Sequence, residues 1–220
     1  MTGSPTRILL IDDHEVVRRG LRSMIEAHGE LEVCGEAADG RAGVQLAFAL
    51  QPDIVIMDIG MPELNGLEAT RKVLECSPKS EVLVLSMHYS EQFVRDVIIA
   101  GARGYVVKSD AALDLVDALE ALRNRTPFFS KCILKMIDPA VLRDLSLFGQ
   151  PAKPSNGLTP REREIMQLLA EGKSNKAVGR LLGISVKTAE THRARIMKKL
   201  KMDSVADLVR YAIRNQVIQA

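Results

Sequence analysis

The sequence predicts two folds in succession, an α/β domain on a parallel sheet and then a small all-helical domain. Three observations carry this reading. Between Arg7 and Arg123, five short β-branched or leucine-rich runs alternate with five longer amphipathic stretches, the pattern of βαβ units. From Leu158 onward the apolar spacing is helical throughout. The net charge of +2 also hides a split: residues 1–125 carry −7, residues 126–154 carry +2 and residues 155–220 carry +7. An acidic front and a basic tail point to different partners, and the tail's is a polyanion.

The expected strands are Arg7–Ile11, Leu31–Ala38, Asp53–Met57, Glu81–Leu85 and Gly104–Val107. The expected helices lie near Glu15–His28, Arg41–Gln51, Leu67–Ser77, Glu91–Gly101 and Ala111–Arg123. Domain boundaries follow at 1–125, 126–157 and 158–220. In the middle segment, Phe128-Phe129 with the apolar positions of Cys132–Met136 suggest a short helix, and Pro139 opens a second. Gly149–Gly157 has the composition of a linker. In the tail, Thr159-Pro160-Arg161-Glu162 joins an N-cap, an N1 proline and a capping-box glutamate. Gly172 closes that helix, and Ser174 caps the next, which runs to Leu182. Gly183-Ile184 turns the chain, Ser185 caps a helix to about Lys201, and Ser204 caps the last. Four short helices with a tight glycine turn between the second and third describe a helix-turn-helix domain.

Composition removes several classes. With 46% apolar and 26% charged residues, the chain has ample material for packed cores. No apolar run approaches the roughly 18–20 residues of a membrane helix, and the N-terminus does not read as a secretory signal, so a cytoplasmic address and no membrane partner are expected. Cys34, Cys76 and Cys132 are odd in number and lack metal-like spacing, which suits reduced packing residues.

In a parallel sheet all strands end on one edge, where ligands bind. Here the first strand runs into Asp12-Asp13, the third into Asp58, the fourth into Ser86 and the fifth into Lys108. Crowded carboxylates repel and raise one another's pKa. A hard divalent cation with oxygen ligands relieves the conflict, and Mg²⁺ with a few carboxylates, waters and a phosphate fits best. An aspartate can then act as nucleophile toward a phosphoryl group, with the cation and Lys108 neutralising charge. The chain has no phosphate-cradling glycine loop and no catalytic triad, so Asp58 is read as a receiver of phosphate and the protein as not an enzyme with steady turnover.

Four segments carry a family resemblance. Ile8-Leu9-Leu10-Ile11-Asp12-Asp13-His14, Asp53 through Pro62, Leu85-Ser86-Met87 and Gly101 through Lys108 are similar to the CheY-like receiver domain of bacterial two-component response regulators, over roughly residues 5–125. The resemblance implies a flavodoxin-like five-stranded parallel sheet of order 2-1-3-4-5, and a phosphoryl group taken by Asp58 from a sensor histidine kinase. It also implies Mg²⁺ held by Asp13, Asp58 and the backbone carbonyl of Gly60, with Asp12 near or acting through water. Lys108 would pair with the phosphate, Ser86 would be the hydroxyl switch and Tyr105 the aromatic that moves with it. Many receivers have proline after this lysine, where this chain has Ser109. His88 falls where family members vary and tune phosphate lifetime.

The third tail helix, unrolled at about 100° per residue, puts Ala189, His192, Ile196 and Leu200 on its core side. Lys187, Thr191, Ala194 and Lys198 lie opposite, flanked by Glu190 and Arg195. A face that is small in the middle and cationic at its ends can enter a major groove and meet phosphates at the rims. Leu158–Glu164, Leu168–Lys176 and Ile184–His192 resemble the LuxR-type helix-turn-helix, which together with the receiver places the chain in the NarL/FixJ class. That resemblance implies Lys187, Glu190, Thr191 and Ala194 toward bases, and Thr188, Arg193, Arg195 and Lys198 toward phosphates.

The function expected is phosphorylation-controlled transcription. Its partners are double-stranded DNA at paired half-sites, a sensor histidine kinase and a second copy of the chain, because one short helix reads few base pairs. RNA polymerase is a further candidate. Two rivals stand beside it: a phosphate-independent DNA-binding protein, and an aspartyl-phosphate hydrolase or relay with an incidental basic tail. The opposite charges of the two halves also raise the expectation that they attract each other.

Overall fold

The structure is a computed structural model that describes residues 4–87, 90–137, 157–215 and 217–218. Its first unit is a parallel sheet: β1 (Thr6–Ile11), β2 (Leu31–Ala37), β3 (Ile54–Asp58), β4 (Glu81–Ser86), β5 (Gly104–Val107) and β6 (Phe128–Phe129), in order β2-β1-β3-β4-β5-β6. Helices α1 (Glu15–Glu26), α2 (Gly40–Leu50), α3 (Gly66–Cys76), α4 (Glu91–Ile99) and α5 (Ala111–Arg123) connect the first five strands and follow β5.

Alternation along the strands builds two cores. Ile8, Leu10, Ile54, Ile56, Leu83, Leu85 and Val106 pack with α1 and α5. Their neighbours Leu9, Ile11, Val55, Met57, Val82, Val84, Tyr105 and Val107 pack with α2, α3 and α4. Both faces of the central strands are therefore covered, which is why those strands read as continuous apolar runs.

The five expected strands are present and joined by a sixth. Phe128-Phe129, expected within a short helix, forms β6 instead, parallel to β5 in the register Gly104↔Phe128 and Tyr105↔Phe129. The reason lies in the open edge of β5: Phe128 N–H donates to Arg103 O at 3.0 Å, and Ser130 N–H to Tyr105 O at 3.0 Å. A short helix, α6 (Lys131–Met136), follows. It sets Ile133 and Ile137 in the core beside Phe93 and Tyr105. The helix expected from Pro139, most of the 149–157 linker and His88 lie outside the described residues.

The tail holds α7 (Pro160–Ala170), α8 (Asn175–Leu182), α9 (Val186–Leu200) and α10 (Val205–Arg214). All four expected caps form. The Thr159 side chain accepts from Glu162 N–H in a capping box, Ser174 from Ala177, Ser185 from Thr188, and Ser204 from Asp207. The α8–α9 turn needs glycine twice: Gly183 has φ +64°, and a Cβ on Gly179 would come 2.8 Å from Ile184 O. Leu158, Ile165, Leu168, Val178, Ala189, Ile196 and Leu208 form the small core. No helix among the described residues is long and apolar enough to cross a membrane.

Candidate functional site

The carboxyl edge of the sheet brings the expected residues together. Lys108 reaches between two carboxylates, its Nζ 2.7 Å from Asp12 Oδ2 and 2.9 Å from Asp58 Oδ1. Asp12 is 2% exposed and Asp58 3%. Asp58 Oδ1 also accepts from Ile59 N–H at 2.8 Å, whereas its Oδ2 is buried with no hydrogen-bond partner. Asp12 Oδ1 accepts from His14 N–H at 2.8 Å, which fixes the turn after β1.

The electrostatics follow from one ammonium set among several carboxylates. Burial pushes the Asp58 carboxyl above the ordinary carboxylate range, and the facing charge of Asp12 adds to this against the pull of Lys108. Lys108 loses by burial but gains more from Asp58 and Asp12, so its ammonium is held more firmly than usual. A further positive charge fits this donor set. One ligand atom each from Asp12, Asp13, His14 and Asp58 lie within 4.8 Å of one another, and the Asp58 Oδ2 lone pairs are unclaimed.

Ser86 ends β4, and Tyr105 lies on the neighbouring strand β5, in register with Val84. Tyr105 is fully buried, its hydroxyl is hydrogen-bonded to Ser86, and burial raises its pKa well above the ordinary phenol. Its ring meets Phe93 edge-on, with centroids 6.4 Å apart at 87°. Lys108–Asp110 forms a 3₁₀ turn, and no peptide bond among the described residues is cis, so Ser109 replaces the family's proline without turning Lys108 from the pocket.

On α9 the sequence-predicted faces separate as expected. Ala189 and Ile196 are buried, and His192 and Leu200 half-buried. Lys187, Thr188, Glu190, Thr191, Ala194, Arg195 and Lys198 are exposed, and Arg193 is half-buried. A shallow depression on this surface is lined by Lys187, Thr188, Thr191, His192 and Arg195.

Three residues escaped the sequence reading. His14 Nδ1 lies 2.8 Å from Asp13 Oδ1 and 3.3 Å from Asp12 Oδ1, and its only sequence signal was adjacency to the acidic pair. Gln167 and Glu171, on and just after α7, contact the receiver loop that follows Asp58. No pattern in the tail marks them. The two halves also pair by charge, in both directions: Arg163 of the tail on Glu68 of the front at 2.5 Å, and Lys72 of the front on Glu164 of the tail at 2.7 Å.

A parallel sheet with clustered aspartates and a lysine at its carboxyl edge, followed by a helix-turn-helix with an open cationic face, defines a DNA-binding receiver protein. Comparison with known proteins gives the family. Residues 8–120 match the response regulator receiver domain, and residues 156–212 match the bacterial regulatory proteins of the luxR family. The chain belongs to the DNA-binding, LuxR-type response regulators of two-component systems. It is 39% identical over 212 residues to the transcriptional regulatory protein LiaR of Bacillus subtilis, covering 96% of this chain and 99% of that one. It is 34% identical over 200 residues to the nitrate/nitrite response regulator protein NarL of Escherichia coli K12, covering 91% of each. Among solved structures, RcsB from Salmonella enterica bound to promoter rprA aligns with TM-score 0.62 at 26% identity, covering 94% of this chain and 98% of that one. A LuxR-family response regulator from Aurantimonas aligns with TM-score 0.58 at 38% identity, covering 60% and 95%. Proteins of this family are regulators and not classical enzymes.

Proposed function

We propose that Asp58 accepts a phosphoryl group from the phosphohistidine of a sensor kinase, and that the modified chain dimerises and binds paired DNA half-sites to control transcription. The observation that carries this reading is the Asp58 carboxylate, buried and fixed at Oδ1 by Lys108 and Ile59 N–H, with Oδ2 left unpartnered. An Asp58 oxygen attacks phosphorus, a P–O bond forms, the P–N bond to the kinase imidazole breaks, and the imidazole leaves with its electron pair. Asp13, Asp58 and the Gly60 carbonyl would hold Mg²⁺, with Asp12 close by and already engaged with Lys108. The cation supplies charge neutralisation at the transferred group. Lys108 stands where it can move from Asp58 to a phosphate oxygen, and Ser86 can donate to another, drawing on the Tyr105 hydroxyl it now contacts.

On the tail, exposure of the α9 face supports Lys187, Glu190, Thr191 and Ala194 as base-facing and Thr188, Arg195 and Lys198 as phosphate-facing residues, with the half-buried Arg193 assigned to phosphate at the flank of that face. RNA polymerase remains a candidate partner of the DNA-bound dimer. The test is phosphoryl uptake: acetyl phosphate with Mg²⁺ labels the wild type and leaves Asp58→Asn unlabelled. Equal labelling of the two removes the assignment.

A further inference from the structure

The loop after β3 carries the Gly60 carbonyl, and much of what fixes its backbone comes from the other domain. Gln167 is fully buried between the two halves. Its Nε2 donates to Met61 O at 3.0 Å, and its Oε1 accepts from Asn65 N–H at 2.9 Å. Glu171 Oε1 accepts from Glu63 N–H at 2.9 Å and from Gln167 Nε2 at 2.9 Å. Glu63 has φ +64°, a left-handed conformation unfavourable for its side chain, so the bond to Glu171 holds a strained residue in place. The cleft beside these contacts is lined by Asp13, Gly60, Met61 and Pro62 on one side and by Ala170 and Glu171 on the other. It therefore opens onto the residues read above as cation ligands.

We propose that Gln167 and Glu171 are positioning residues for the receiver's divalent cation, so that the docked DNA-binding domain tightens cation binding. The inference rests on the reading that Asp13, Asp58 and Gly60 hold Mg²⁺. Two physical effects give it the same sign. A ligating loop already fixed by partner hydrogen bonds loses less freedom on binding than a loose one. Glu171 also adds a carboxylate to the wall of the same cleft, which raises the attraction for a cation. Linkage then requires the reverse: the cation strengthens domain docking by the same factor.

The experiment is calorimetric titration of Mg²⁺ into the full chain without phosphodonor, for wild type, Gln167→Met and Arg163→Ala. Gln167→Met keeps the buried volume and removes both loop hydrogen bonds. Arg163→Ala loosens the same interface at Glu68 without touching the loop, and serves if the first variant folds poorly. Both variants are expected to bind Mg²⁺ about tenfold more weakly. In the wild type, Mg²⁺ should slow exchange of the Glu63 and Asn65 amide protons, and in Gln167→Met the Asn65 amide should lose that protection. A folded variant that binds Mg²⁺ as tightly as the wild type, or more tightly, overturns this inference and leaves the phosphoacceptor reading intact. No saturable Mg²⁺ binding by the wild type overturns both.

Discussion

At the receiver's sheet edge, Asp12 and Asp58 are 2–3% exposed and share one lysine, whereas on α9 seven of the eight residues proposed to contact DNA stand in solvent. Buried charges must be answered by fixed partners, because an unpaired one costs several kcal/mol. Each group at the edge is therefore tied to the rest, and its backbone leaves no slack. Exposed charges are answered by water and salt, so on α9 they act nearly one at a time. The first region should respond to substitution in large steps and the second in small, additive ones.

The largest expected effect tests the rigid side. A Cβ on Gly66, the first residue of α3, would lie 1.9 Å from the backbone oxygen of Asp58 and 2.9 Å from Ile59 Cα. Neither atom is the end of a flexible side chain, so Gly66→Ala must move the backbone of Asp58 itself. A loss of about 3 kcal/mol is expected, with Tm falling by roughly 10 °C in a thermal melt and phosphoryl uptake reduced along with it. Stability within about 0.5 kcal/mol of wild type would show that the edge yields after all.

The same contrast explains what the sequence disclosed. Asp12, Asp58, Ser86 and Lys108 were legible because each follows an apolar run, and the ends of parallel strands must share an edge. Thr159, Ser174, Ser185 and Ser204 were legible because a cap needs only its own helix. Phe128-Phe129 was not, since two residues carry no period and their strand is imposed by the open edge of β5. Gln167 reads as an ordinary polar position on α7, and its burial is created by a loop about 100 residues away, at separations of 102 and 106. The charge split raised an attraction between the halves as an expectation but did not show which local pairs meet: Arg163 on Glu68 follows the net signs. Lys72 on Glu164 runs against the net signs, because contact depends on local pairs and not on domain totals.

The open side is tested by DNA binding. Lys198 and Arg195 are exposed and are proposed above to face phosphates, so Lys198→Ala and Arg195→Ala should each weaken binding to specific and random duplexes alike. Each should also reduce the slope of log affinity against log salt by about one, and the double variant by about two. A loss confined to one sequence would move these residues to the base-reading set. Strong non-additivity would break the contrast with the buried edge.

The smallest expected effect lies between the two regions, at Glu164. It is 3% exposed and accepts from Arg161 at 2.8 Å within its own helix, while Lys72 of the receiver lies 2.7 Å away. Burial alone would raise its pKa, but the hydrogen bonds from Lys72 and Arg161 outweigh it and hold the carboxyl below the ordinary value of 4.5. A depressed carboxyl binds fewer protons folded than unfolded. Its contribution is therefore fully present above pH 4.5 and is lost as pH falls through the lower folded value. Glu164→Gln should cost about 1 kcal/mol near neutral pH, since the outer partner Lys72 is partly open to solvent. The gap to wild type should narrow steadily below pH 4.5 in denaturant melts. A gap that stays constant with pH would mean the carboxylate's charge contributes nothing and only its shape holds the interface.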